Sequence, residues 1–189
     1  MPASPASYVS PFALQREFFV WGAWAGWAGV LMMTLLWIGL IMGAPVAAAG
    51  GREATALVIY HGLGAVCHQI PERAFWLAGH PLAVCARCFG IYAGFAVTVL
   101  LYPLVTQGLR LTPTPRREWF ILALLPTAVD FTLGLTGWWV NTHLSRSLTG
   151  AWLGGWLVFY LVPGLIEIGQ SGWSQFFGRS IPDKREMWG

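Results

Sequence analysis

Three cysteines and two histidines in one stretch of the chain have the residue types and the spacing of metal ligands. Cys85 and Cys88 form a C-x-x-C pair that runs directly into an apolar segment, and Cys67 is followed at once by His68. Thiolate sulfur and imidazole nitrogen are the ligands of tetrahedral Zn2+ sites. The sequence therefore predicts a zinc site made by the three cysteines, with either His68 or His80 as the fourth ligand.

Two other interpretations of the cysteines stay open. Cys85 and Cys88 could form the disulfide of a thiol–disulfide oxidoreductase, although an odd number of cysteines leaves Cys67 without a disulfide partner. All three could also be buried as small apolar side chains, which a membrane protein tolerates well. The zinc interpretation is the one that uses every cysteine.

Polar residues elsewhere in the chain form a second candidate group. Asp130 lies inside an apolar segment, where an ionisable side chain is costly and is usually paired or functional. We predict that Asp130 is hydrogen-bonded or ion-paired within the protein, with Arg87 or Arg146 as its partner, and that it does not face lipid. The predicted polar cluster as a whole consists of Arg73, Arg87, Asp130, Asn141 and Arg146.

The composition indicates a protein that lies in a bilayer. Of its 189 residues, 56% are hydrophobic and only 10% are charged, which is too few charges to cover a water-soluble globule. No basic run with interleaved aromatic side chains points to nucleic acid. The predicted partners are therefore the lipid bilayer and other membrane protein subunits.

The apolar runs predict an all-α integral membrane bundle of four transmembrane helices plus one short re-entrant or interfacial helix. Each of four runs has close to the ~20 residues that a crossing needs, whereas the segment 54–70 is only marginally long enough and contains two glycines. The predicted spans are 18–45, 88–105, 119–140 and 148–166. Glycines spaced for close helix packing occur in three of these spans: Gly22, Gly26 and Gly29, then Gly90 and Gly94, then Gly150 and Gly154.

The domain organisation predicted from these spans is simple. An N-terminal tail, 1–17, precedes a single transmembrane domain, 18–168, and a C-terminal tail, 169–189, follows it. The cysteine-containing segment, 61–94, lies within the transmembrane domain.

The distribution of basic residues predicts the orientation of the chain. With four crossings, seven Lys and Arg residues lie on the side of the termini and four on the side of the cysteines. Because the cytoplasmic side of a membrane protein carries the excess of Lys and Arg, both termini are predicted to be cytoplasmic. Both candidate groups would then lie at the outer face of the membrane.

Several motifs together resemble a known family. The chain contains C-H-Q-x-P-E-R, then V-C-A-R-C-x-G-I-Y-x-G, then an acid in a later span followed by N-x-x-x-x-R-x-x-T-G. This series, between Cys67 and Gly154, resembles an uncharacterised family of small bacterial and archaeal membrane proteins, domain of unknown function 2085. The resemblance implies that the cysteines, His68 and the polar cluster belong to one arrangement, and it implies no activity.

The function predicted from these features is that of a zinc-binding integral membrane protein acting as a structural or accessory subunit of a membrane complex. Two alternatives are a membrane-embedded zinc-dependent enzyme, with Asp130 or a histidine as base, and a thiol–disulfide oxidoreductase that uses Cys85 and Cys88. Three thiolates and one imidazole would fill all four positions of zinc, which argues against the enzyme.

Overall fold

The computed structural model describes residues 11–109 and 114–177, and the side chains of 21–109 and 114–168. Within this part of the chain there are five α-helices, one turn of 3-10 helix and one two-stranded ribbon. The helices are α1 Pro11–Ala49, α2 Glu53–Gly64, α3 Ala86–Val105, α4 Arg117–Leu135 and α5 His143–Phe177. The 3-10 turn is Pro71–Arg73, and the ribbon pairs β1 Trp76–Leu77 with β2 His80–Pro81 in antiparallel fashion.

Four of these helices are long and apolar enough to cross a membrane. The candidate spans are Trp21–Ala49, Ala86–Val105, Arg117–Leu135 and His143–Ile168. By contrast, α2 has 12 residues and is about 18 Å long, which is too short for a hydrocarbon core of about 30 Å. The predicted all-α membrane bundle of four transmembrane helices plus one short helix is confirmed.

Close backbone contact between α3 and α5 forms the centre of the bundle. A Cβ atom added at any of four glycines would come within 3.0 Å of the partner helix backbone, closer than real Cβ atoms approach. These are the glycines of the two predicted G-x-x-x-G pairs, Gly90, Gly94, Gly150 and Gly154. Small residues at this spacing let two helices approach closely, so the glycines determine how α3 and α5 are aligned.

The helix α1 packs along the α3–α5 pair through two separate apolar clusters. Towards its start, Ala23 packs with residues of α3 and α5 such as Val99 and Val158. Towards its end, Ile41 packs with Leu63 of α2 and with the residues just before α3. Of the glycines predicted for close approach in α1, Gly26 meets the backbone of Ile166, whereas a Cβ at Gly29 would meet nothing within 4 Å. The prediction for Gly29 is therefore wrong.

The end of α4 differs from the predicted span 119–140. The helix ends at Leu135, and Gly137 has a positive φ of 75°, the left-handed conformation that commonly ends helices. Asp130 is thus about 7.5 Å from the end of its helix, instead of the ~13–15 Å implied by the longer span. The error arose because Trp138, Trp139 and Val140 continue the apolar run beyond the point where the backbone turns.

The first and last helices extend further than the predicted domain boundaries. α1 begins at Pro11, inside the predicted N-terminal tail, and α5 continues to Phe177, inside the predicted C-terminal tail. The parts of the tails in 1–10 and 178–189 lie outside the described residues. The division of the chain at 17 and 168 stays a prediction.

The ribbon between α2 and α3 was not predicted. Its strands are joined by a two-residue turn at Ala78 and Gly79, both with positive φ, which is the backbone that suits a tight hairpin. The hydroxyl of Tyr60 in α2 donates a hydrogen bond to the carbonyl oxygen of Pro81 at 2.5 Å. The ribbon therefore folds back on α2 and returns the chain to the start of α3.

Candidate functional site

The three cysteines meet where the end of α2 approaches the start of α3. Cys67 follows α2, Cys85 directly precedes α3, and Cys88 lies in the first turn of α3. Their sulfur atoms all lie within 4.8 Å of one another, and all three are free thiols. Cys67 is buried, and the other two are partly buried. This three-sulfur cluster joins two segments that are 18 residues or more apart in sequence.

Hydrogen bonds around Cys67 favour its thiolate form. The thiols of Cys85 and then Cys88 donate to the Cys67 sulfur, and together they hold the pKa of Cys67 far below that of an ordinary thiol. The backbone N–H of Cys85 also donates to Cys67 Sγ at 3.2 Å. Thiolate is the form of cysteine that binds metal ions.

The spacing of the sulfurs fits a tetrahedral metal ion. With Zn–S bonds of about 2.3 Å and tetrahedral angles, two sulfur ligands of one zinc are about 3.8 Å apart. The three sulfurs here all lie within 4.8 Å of one another, so small side-chain rotations suffice to reach that distance. The donor set suits zinc, which takes thiolate ligands.

The two histidines predicted as alternative fourth ligands do not belong to this group of ligand atoms. His68 directly follows Cys67 and is exposed, whereas His80 is partly buried in the ribbon opposite Leu77. The fourth-ligand role of either histidine stays a prediction.

A glutamine that the sequence analysis did not single out holds the cysteine segment in place. Gln69 has a positive φ of 50°, and its amide nitrogen donates to two carbonyl oxygens, Tyr60 O at 2.7 Å and Ala83 O at 2.9 Å. One side chain thus connects the end of α2 to the residues before Cys85. The available signal was its position in C-H-Q, next to a predicted ligand.

The polar cluster is centred on an ion pair between α3 and α4. Arg87 pairs with the buried carboxylate of Asp130, and its guanidinium lies 5.4 Å from the centre of the Phe131 ring. Arg87 is one of the two predicted partners. Asn141 donates to the backbone carbonyl oxygen of Asp130 at 2.6 Å, and its amide occupies the space that a Cβ would need at Gly134. The glycine therefore lets Asn141 pack against α4.

A small cavity of about 80 Å³ lies at the polar cluster. Four residues of the predicted polar cluster line it, and Asp130 is paired with one of them, so the structure brings all five predicted residues together. The complete lining is Arg73, Cys85, Arg87, Phe131, Gly134, Leu135, Asn141 and Arg146. Because Cys85 belongs to the lining, the cavity adjoins the three-sulfur cluster.

Comparison with known proteins places this arrangement in a family. The family model described as "Predicted membrane protein (DUF2085)" matches residues 67–160, which include both groups of site residues. An uncharacterized protein of Methanocaldococcus jannaschii is 39% identical over 113 residues, 60% of this chain and 72% of its own length. An uncharacterized protein of Methanothermobacter thermautotrophicus is 35% identical over 85 residues, 45% of this chain and 74% of its own length. No solved structure matches the chain. The chain belongs to the DUF2085 family of membrane proteins.

Proposed function

We propose that the protein is a zinc-binding integral membrane protein in which Cys67, Cys85 and Cys88 hold the ion. The observation that carries this proposal is the convergence of their three sulfur atoms within 4.8 Å. The ion would connect the end of α2 to the start of α3.

A structural role for the ion is supported by the local fold. The segment between α2 and α3 contains only a single 3-10 turn and a ribbon of two residues per strand, so it has few backbone hydrogen bonds of its own. Structural zinc sites stabilise short segments of this kind because metal binding contributes directly to folding. Metal removal should therefore loosen 65–85 more than the helices α3 and α5.

Elemental analysis tests the proposal. Protein purified in mild detergent is expected to contain about one zinc per chain, and Cys67→Ser, Cys85→Ser and Cys88→Ser should each lose most of it. His61→Ala is the matched control, because His61 is an exposed potential ligand of α2 that lies outside the cluster. Absence of metal from the wild-type protein, or equal metal content in all variants, would contradict the proposal.

The same measurement identifies the fourth ligand. Loss of zinc in either His68→Ala or His80→Ala assigns that histidine as the fourth ligand. Retention of zinc in both variants means that the fourth ligand of the zinc ion is water or a bound small molecule. A Cys85–Cys88 disulfide in the purified protein would instead favour the thiol–disulfide oxidoreductase.

We further propose that the protein is a structural or accessory subunit of a membrane complex. The helix α4 packs chiefly against α5, and apolar side chains such as Ile121, Leu125 and Val129 are exposed on it. A helix that packs chiefly against one neighbour leaves surface for a helix of another subunit. A photo-crosslinking residue at Leu125 should capture a membrane protein in cells, and the same residue at exposed Leu57 of α2 is the control. If the chain purifies in gentle detergent without a partner protein, and the residue at position 125 forms no crosslink, the proposal that the protein is a subunit is refuted.

A zinc-dependent enzyme is the second candidate, and one observation favours it. Neither histidine belongs to the group of ligand atoms, and three thiolates leave one position of a tetrahedral ion for water. Cys85 also lines the adjacent cavity, so a small ligand in the cavity would lie beside a proposed zinc ligand. Retention of zinc in both histidine variants, together with isolation of the chain without partners, would favour the enzyme over the subunit.

The proposed location follows from the charge distribution. With both termini in the cytoplasm, the three-sulfur cluster and the cavity lie at the outer face of a bacterial or archaeal cell membrane. The support is the excess of Lys and Arg on the side of the termini, seven against four.

A further inference from the structure

The cavity beside the three-sulfur cluster has an excess of positive charge. Three of its eight lining residues are arginines, none of the eight is acidic, and all eight lie in the described part of the chain. The carboxylate of Asp130 pairs with Arg87. Arg146 is repelled by both Arg73 and Arg87 and is attracted by Asp130. The three guanidinium groups at the cavity are thus balanced by one neighbouring carboxylate.

Hydrogen-bonding groups at the cavity also lack partners. Arg87 Nε is buried and has no hydrogen-bond partner among the described residues, although the same guanidinium pairs with Asp130 through another nitrogen. Asn141 Oδ1 is likewise buried without a partner there, and it can accept from a hydroxyl group or an ordered water. A buried donor without an acceptor is costly, so a ligand with acceptor oxygens would be stabilised here.

The size and position of the cavity limit the ligand to a small group. Its volume is about 80 Å³, which is enough for several water molecules or one small oxyanion. The arginines come from the 3-10 turn between α2 and α3 (Arg73), the start of α3 (Arg87) and the start of α5 (Arg146), so they lie at one end of the spanning helices. At that end both water-soluble anions and lipid headgroups are within reach.

We propose that Arg73, Arg87 and Arg146 bind a phosphate group at this cavity. Guanidinium groups match the oxygens of phosphate with paired hydrogen bonds. Three guanidinium groups carry more positive charge than the single carboxylate of Asp130 can neutralise, and a phosphate group would supply the remaining negative charge. The phosphate belongs either to a small water-soluble phosphate or to a phospholipid headgroup. This inference does not depend on whether the cysteines bind zinc.

Two probes distinguish the sources. Calorimetric titration with inorganic phosphate, in a detergent without phosphate, measures the soluble ligand. Native mass spectrometry from nanodiscs of equal parts phosphatidylglycerol and monoglucosyldiacylglycerol measures the lipid, because the second lipid has no phosphate. We expect the wild-type protein to bind inorganic phosphate or to retain phosphatidylglycerol selectively.

Charge-removing variants test the assignment of the arginines. Arg146→Gln and Arg73→Gln should each weaken binding about tenfold or more, because each removes charged hydrogen bonds to the ligand. Arg52→Gln removes an exposed arginine of the α1–α2 turn and should bind like the wild type. Since Arg73 is exposed, its variant is expected to fold, and a tryptophan fluorescence melt verifies this.

Each outcome decides the question. Binding of inorganic phosphate without lipid selectivity assigns a soluble phosphate, and lipid selectivity without phosphate binding assigns a headgroup. Binding with neither probe overturns the proposal. So does binding that is unchanged in both Arg73→Gln and Arg146→Gln.

Discussion

Glycines in α1 and α3 allow a graded test of how this bundle is held together. The series is Gly94→Ala, Gly26→Ala and Gly29→Ala, which adds the same methyl group to a helix at three levels of crowding. At Gly94 the new Cβ would lie within 3.0 Å of the Ala151 backbone, at Gly26 it would lie 3.2 Å from Ile166 Cα, and at Gly29 it would meet nothing within 4 Å.

The expected magnitudes follow from these distances. A Gly→Ala change favours helix formation by up to about 1 kcal/mol, and this gain is shared by all three variants. Overpacking costs about 1–3 kcal/mol, and the cost is high where the neighbour is backbone that cannot rotate away. We therefore expect Gly94→Ala to be about 1–3 kcal/mol less stable than Gly29→Ala, with Gly26→Ala between them.

Unfolding in mixed detergent and SDS micelles, followed by tryptophan fluorescence, measures the free energy of unfolding of each variant. Gly154→Ala is a second member of the crowded class, because its Cβ would meet the backbone of Ile91. If Gly94→Ala and Gly154→Ala were as stable as Gly29→Ala, the close backbone contact of α3 and α5 would be refuted.

Three further predictions concern the site and the orientation. Asp130→Asn and Arg87→Gln should each destabilise the protein, since the two side chains form one ion pair. A double-mutant cycle should give a coupling energy of about 0.5–3 kcal/mol between them, and additive effects would contradict the pairing. Gln69→Glu keeps the shape of the side chain but removes both N–H donors, so it should destabilise the protein as much as Gln69→Ala does, by about 1–3 kcal/mol for two hydrogen bonds. The same unfolding assay measures this, and wild-type stability of Gln69→Glu would refute the role of these two hydrogen bonds. In intact cells, an impermeant thiol reagent should label His61→Cys and leave Lys184→Cys unlabelled, and ready labelling at 184 would refute the cytoplasmic termini.

The fold was predictable because a bilayer imposes length and hydrophobicity on a helix. Four apolar runs were enough to predict the spans, and the glycine spacing was enough to predict that the spans at 88–105 and 148–166 pack closely against a helix. That these two helices pack against each other was not predicted. The end of α4 was missed because hydropathy does not register the left-handed turn at Gly137. Trp138 and its neighbours look like helix by composition while lying in a loop.

The candidate site was predictable where local spacing determines geometry. Cys85 and Cys88, at a helix start, necessarily project towards one region, and Cys67 was predicted to join them because the zinc interpretation uses every cysteine. The direction of a side chain in the segment between α2 and α3 depends on the ribbon and on Gln69, which the sequence analysis did not detect. For that reason the choice between His68 and His80 could not be made from spacing.

The ion pair between Arg87 and Asp130 also bears on how the chain enters the membrane. The helix α4 has the lowest mean hydropathy of the four candidate spans, 1.4, and it carries a carboxylate. A charged side chain in a spanning helix disfavours insertion by about 2.5–3.5 kcal/mol at its centre, and less near its end. During synthesis α3 leaves the ribosome before α4, so Arg87 is already in the translocon region when Asp130 arrives. Pairing at that stage would let the later helix insert with its charge neutralised, and the order of the two residues in the chain would then assist biogenesis as well as folding.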